Sequence, residues 1–176
     1  QGQSWVLLAQ GQIVSTSGSL VTEYWNNCYA GISSCNFFLA NVDKAPIPEA
    51  ALKTYKAEVQ FLRALFYHIT ADVYGGVPLY TTPPTIEEAK IAKSTKAEVI
   101  ALVLNDLDFA IANLPDKAYT DGHAVKASAQ AMKARVLLYE GRWAEAASAA
   151  NDVITGGKFS IFNNYRTLFL ATGQNN

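Results

Sequence analysis

Along most of this chain apolar residues recur every three or four positions, and the pattern breaks only where Gly and Pro cluster. Trp25, Cys28, Ile32, Cys35, Leu39 and Val42 follow a 3-4-3-4-3 spacing, the stripe of an amphipathic helix, and Ala45-Pro46-Ile47-Pro48 punctuates its end. A second helix is predicted over residues 49–74, with Leu52, Tyr55, Val59, Leu62, Phe66, Ile69 and Val73 as its buried stripe and Phe61 and Leu65 widening it. Thr95 and Glu98 have the spacing of a capping box, which opens a third helix. It should bury Ile100, Val103, Leu107, Ile111 and Leu114 and stop at Pro115. A fourth helix over about 123–140 carries small residues at Ala124, Ala127, Ala131 and Ala134. Gly141 breaks it, and a fifth over 143–154 should turn Ala146, Ala147, Ala150 and Val153 inward. A turn and short extended piece (155–162) and a last short helix (164–170) follow. The fold class is therefore all-α, with an irregular segment over residues 1–19 and extended connectors.

One connector stands apart. "HITADVYGGVPLYTTPP", residues 68–84, interrupts the second helix at Gly75-Gly76. Either glycine can take the positive φ that closes a helix C-terminus, and Pro78 holds Val77 extended. The piece after it should leave as a strap, laying Val77, Leu79 and Tyr80 on a neighbouring apolar surface. The fourth and fifth helices, 124–155, match a tetratricopeptide-like helix pair: small residues at Ala134, Ala146 and Ala150, Gly141 in the turn and an aromatic at Trp143. Gln130 and Lys133 depart from that pattern. A fainter echo lies 72 residues upstream, where LRALFY (62–67) resembles ARVLLY (134–139), near two units of roughly 34 residues.

Composition narrows the function classes. The chain has 176 residues, half of them hydrophobic, enough for one substantial core. Its net charge is -1 with 16% charged residues, and no basic stripe of the kind nucleic-acid binding requires is visible. Uninterrupted apolar runs, such as Trp5 to Ala9, are far too short to span a bilayer, and no signal-peptide pattern opens the chain. Cys28 and Cys35 on one helix would lie roughly 10 Å apart at 1.5 Å per residue, too far for a disulfide; they should pack as inert thiols. With only His68 and His123, far apart in sequence, no metal-ligand cluster stands out.

No catalytic constellation emerges either. Asp106 and Asp108 are two apart, so on a helix their side chains diverge, and they and Glu87-Glu88 are expected on solvated faces. His68 and Asp72, four apart, should make a local contact. Glu58 and Arg63 lie near buried faces and are expected in a structural ion pair or in helix-to-helix hydrogen bonds. Trp25 and Trp143 fall on predicted packing faces. Trp5 is the one Trp outside a predicted buried stripe and is the candidate carbohydrate contact, otherwise docking the N-terminal segment.

These motifs, taken in order, resemble the SusD/RagB family of outer-membrane glycan-binding lipoproteins. AEVQFLRALFYHITADVYGGVPLY (57–80) resembles its signature helix and strap, here Tyr74, Gly75, Gly76, Val77, Pro78 and Leu79. Tyr29, Ile32 and Asn36 resemble its early Y-x-x-I-x-x-x-N pattern, and the later helices and NNYRTLF follow in family order. The resemblance implies a single SusD-like α-helical domain over 1–176, corresponding to the repeat-bearing N-terminal part of a longer lipoprotein whose anchor region and C-terminal half are missing here. It implies a surface-exposed, non-catalytic protein of the outer membrane, capturing glycans or peptides for a SusC-like TonB-dependent β-barrel transporter. It implies no cofactor, and membrane attachment only through a lipid anchor absent from this chain. No sugar-binding residue transfers by motif. The rival reading is a soluble tetratricopeptide adaptor gripping a peptide in a concave groove, against which the Ala-rich faces of the fourth and fifth helices favour tight packing. A partial fold should also leave apolar side chains uncovered.

Overall fold

The computed structural model describes residues 6, 9–12, 20–118, 121–162 and 165–169. Among them there is no strand; the chain is an all-α helical repeat array. Its helices are α1 (Leu20–Asn41), α2 (Glu49–Tyr74), α3 (Lys96–Asn113), α4 (Lys126–Tyr139), α5 (Trp143–Thr155) and the short α6 (Tyr165–Leu168), with single 3-10 turns at Val42–Lys44 and Glu88–Lys90. Of α1–α5, each packs chiefly on its neighbours in sequence, and α2 also touches α4. In the N-terminal segment, expected to be irregular, Val6 and Ala9 are helical, and the Gln10 N–H donates to the Val6 carbonyl (3.0 Å).

Local chemistry sets the ends as the sequence predicts. Thr95 and Glu98 form the reciprocal capping box of α3. Between α4 and α5 the Arg142 N–H donates to the Leu137 carbonyl (2.9 Å) and the Gly141 N–H to that of Leu138 (3.1 Å), the paired bonds of a Schellman turn. The main core gathers Ile32 of α1, Ala57, Ala64, Tyr67 and Ala71 of α2, Val99, Val103, Leu107 and Ala110 of α3, and Ala129, Met132 and Val136 of α4. Leu137, Ala146 and Ala149 form a smaller cluster joining α4 to α5. Cys28 and Cys35 are buried and unpaired; burial raises both thiol pKa values, so they stay protonated and unreactive.

Which face turns inward differs from expectation in three helices. On α2, Tyr55, Leu62 and Val73 are exposed, and the buried line is Ala57, Arg63, Ala64, Tyr67, His68, Thr70 and Ala71. This helix lies between α1 and α3; small residues let both approach, Arg63 and Tyr67 enter because partners wait inside, and Thr70 bonds back to its own helix. On α4, Ala131 is exposed while Ala129, Met132, Val136 and Leu137 are buried. On α5, Ala146 and Ala149 are buried, and Ala147 and Ala150 are not. Trp143, expected to pack, is 66% exposed, because among the described residues α5 has α4 on one side and no major helix contact on its other. With Leu138 and Tyr139 it borders an open apolar hollow of about 480 Å³.

Where α2, α3 and α4 meet, His68 is buried, with Nε2 3.4 Å from Asp72 Oδ2. Lys96 of α3 lies 2.6 Å from Glu140 and 3.8 Å from Asp72, and the Tyr139 ring of α4 meets the imidazole edge-on. Burial lowers the His68 pKa below its ordinary value of 6.5; Arg135 and Lys96 add to that, while Asp72 and Glu140 oppose it. A depressed folded-state pKa means that the unfolded chain takes up the proton first. The stability contributed is present above the unfolded value and is lost as pH falls from about 6.5 through the lower folded one. Urea midpoints measured in steps from pH 7.5 to 5 are therefore expected to fall with acid, and the slope to flatten in His68→Gln. An unchanged slope in that variant would remove His68 from the account.

Candidate functional site

The strap is held by side chains that hydrogen-bond its backbone. Helix α2 stops because Gly75 has φ 74° and ψ -123°, a combination costly for any L side chain. The chain then passes so close to α3's lead-in that a Cβ on Gly76 would collide with the Ser94 carbonyl oxygen. Val77 is fully buried in the main core and Leu79 packs against it. The Ser94 N–H donates to the Val77 carbonyl (3.0 Å), and the Tyr29 hydroxyl donates to that of Pro78 (2.7 Å). Tyr67 makes a double contact: its hydroxyl donates to the Tyr80 carbonyl (2.9 Å) and accepts from the Tyr80 N–H (2.8 Å). Asn36 Nδ2 donates to the same carbonyl (2.9 Å). Trp25 packs tilted against Tyr29 and edge-on to Tyr74, at ring separations of 4.6 and 5.2 Å, and the Tyr74 hydroxyl donates to the Val21 carbonyl. An extended chain without a strand partner thus has its polar backbone satisfied almost residue by residue.

At the centre lies a buried ion pair. Arg63 Nε and Nη2 donate to Asp106 Oδ2 (2.7 Å) and Oδ1 (2.8 Å), a bidentate fork. Arg63 Nη1 donates to Asn36 Oδ1 (2.9 Å) and to the Thr81 carbonyl (3.3 Å). Gln60 Nε2 adds a bond to Asp106 Oδ1 (3.0 Å). Burial works against the guanidinium's charge, but the Asp106 carboxylate outweighs it, and the Arg63 pKa stands above its ordinary value. Burial pushes the Tyr67 phenol up to about 12 and raises that of Tyr29 further, so both keep the proton that the strap uses. Every acceptor of Asp106 faces a donor. The cluster can fix a backbone shape; it offers no free acid, base or nucleophile.

Of the residues singled out from sequence, the structure brings Tyr29, Asn36, Arg63 and the Tyr74–Leu79 strap together. Ile32 of the same early pattern is in the core. Glu58 stands apart from Arg63 and meets His123 Nδ1 instead, at 3.1 Å. Asp106 overturns the expectation of a solvated face: it is 1% exposed, while Asp108 is exposed and pairs with Lys133. Its signal was legible, since Val99, Val103, Asp106 and Ala110 continue a 4-3-4 buried spacing. Tyr67 was missed too, although Ala64, Tyr67 and Ala71 repeat that spacing. Trp5, the candidate carbohydrate contact, lies outside the described residues, as does Leu7. No three metal-ligating side chains converge among the described residues.

Comparison with known proteins places this architecture. A SusD-like family model, described as "Starch-binding associating with outer membrane", matches residues 2–138. A SusD-like protein of Formosa agariphila is 29% identical over 168 residues, covering 93% of this chain and 32% of its own length. The crystal structure of a SusD-like protein from Bacteroides fragilis superposes with a TM-score of 0.86 at 28% identity, over 94% of this chain and 34% of that one. A laminarin binding SusD-like protein superposes with a TM-score of 0.82 at 29% identity, over 87% of this chain and 35% of that one. The chain thus spans about a third of the length of these relatives.

Proposed function

Since this chain belongs to the SusD-like family, we propose that it works as part of a non-catalytic surface binding protein, which captures glycans at the outer membrane and passes them to a SusC-like TonB-dependent transporter. The observation that carries this reading is the superposition on a laminarin binding protein over 87% of the chain. The buried clamp supports the binding class: its acid and base are consumed in holding the strap, which suits a scaffold that positions loops. The 1–176 segment is read as a single helical domain whose 124–155 pair extends the repeat, and Trp5 as a ligand contact. Membrane attachment would come through a lipid anchor.

The test is affinity electrophoresis of the full-length protein through gels containing laminarin or starch, with pull-down of the transporter from outer membranes as its second arm. Retardation by at least one glucan is expected, and Trp5→Ala is expected to weaken it. Free migration through both glucans and no recovery of the transporter would overturn the reading.

A further inference from the structure

The junction of α2, α3 and α4 holds a buried side chain that the strap and its clamp do not use. His68 is 5% exposed, and its Nδ1 is enclosed by this chain's own atoms, with no hydrogen-bond partner among the described residues. The other ring nitrogen, Nε2, lies 3.4 Å from Asp72 Oδ2. The proton of a neutral imidazole therefore belongs on Nε2, facing the carboxylate, and Nδ1 keeps its lone pair. A second proton can go only to Nδ1. There it makes a buried donor with nothing to receive it, on a ring that has become charged away from water.

The surrounding charges do little to offset that cost. The ring is faced by Asp72 from α2, by Lys96 from α3, and by Arg135 and Glu140 from α4, two acids against two bases. Lys96 Nζ stands 2.6 Å from Glu140 and 3.8 Å from Asp72, so the carboxylates that could hold an imidazolium already share an ammonium. Tyr139 of α4 offers a ring edge, its centroid 5.7 Å away. It is itself 64% exposed, so the pocket lies just beneath the surface at the last turn of α4, and the way out for the imidazole is past Tyr139.

We propose that His68 is an acid-sensitive latch: neutral, it lets the last turn of α4 close on the ends of α2 and α3; protonated, it leaves its pocket and that turn swings open. The residues that α4 gives to the main core, Ala129, Met132 and Val136, lie before this turn, so opening need not break them. What the latch couples is set by the chain path. The last turn of α4 leads through Gly141 into α5, whose chief contact is α4. The loop over 75–95, which carries the strap, leaves α2 just beyond Asp72 and returns to α3 just before Lys96. One proton thus bears on both the α4–α5 pair and the neck of that loop.

The test is hydrogen exchange, read by mass spectrometry, on the full-length protein in steps from pH 7.5 to 5. Corrected for the intrinsic pH dependence of exchange, protection at residues 138–142 should fall about tenfold per pH unit, the slope for one proton taken up on opening. The fall starts near the ordinary His value of 6.5 and continues to the lower folded-state pKa. In low urea this protection should stay constant, since a local opening exposes little surface, whereas residues 103–110 of α3 should respond as globally opening ones do. His68→Gln, and His68→Phe as a second non-titrating replacement that keeps a ring, should each abolish the slope at 138–142. A pH-independent protection in wild type would overturn the latch. So would a urea response equal to that of α3, which would make acid act on the whole fold, and so would a slope that survives both replacements.

Discussion

Replacing Arg63 with alanine is expected to cost about 3–5 kcal/mol of folding free energy, the range for removing one member of a buried ion pair. Both side chains are almost wholly enclosed, at 7% and 2% exposure for Arg63 and Asp106, so solvent cannot take over what the guanidinium supplies. The substitution leaves the Asp106 carboxylate with only the amide of Gln60, and strips a donor from Asn36 Oδ1 and from the Thr81 carbonyl. Arg63→Lys should recover little, since an ammonium cannot reproduce the planar fork on Asp106 and reach Asn36 as well. The informative partner is the double variant Arg63→Met with Asp106→Leu. Replacing a whole buried pair by apolar side chains is often neutral or better, so the urea midpoint should return most of the way. The strap would still lack its Arg63 bond, and amide exchange at residues 80–82 should stay faster than in wild type. A loss below about 1 kcal/mol for Arg63→Ala, the scale of an exposed pair, would show that water reaches the cluster.

Much of the architecture was legible because it is written locally. Helix periodicity, the Thr95/Glu98 box, the Gly75-Gly76 stop and the extending effect of Pro78 each depend on residues within one or two turns, and each appears where the sequence puts it. The inward face of α2 was not. Its apolar residues run nearly all round, so spacing alone could not choose a side, and the choice fell to Arg63 and Tyr67, which find partners in other elements. Those partners are remote: Tyr29 and Pro78 are 49 residues apart, and Arg63 and Asp106 are 43 apart. Several of them are backbone carbonyls, which carry no signature in a sequence. The family resemblance supplied what periodicity could not, marking Tyr29, Asn36 and the strap as a set; the structure gives that set a physical reason, one clamp on one extended segment. Trp143 fails for the complementary reason, since nothing in its local spacing tells whether a further element covers α5.

Gly76→Ala should be a damaging single-methyl change, costing about 1–3 kcal/mol and toward the upper end of the range for overpacking. The obstacle to the new Cβ is the Ser94 carbonyl, with the Lys96 N next to it; both are backbone, so neither can swing aside as a side-chain tip would. Relief requires moving the strap away from the start of α3. That lengthens the Ser94–Val77 bond and lifts Val77 from the core it fills. The neighbouring glycine separates two mechanisms that a paired-glycine motif conflates. Nothing lies within 4 Å of a Cβ at Gly75, so its requirement is conformational: φ 74° with ψ -123°. That pair is outside the left-handed well, where asparagine is tolerated, so Gly75→Asn should be as destabilising as Gly75→Ala. It is, however, the mirror image of ordinary extended backbone, so D-alanine placed at 75 by semisynthesis should fold with a midpoint near wild type. A Gly76→Ala midpoint equal to wild type would mean that strap and α3 are not in the close contact from which the 75–95 loop takes its shape.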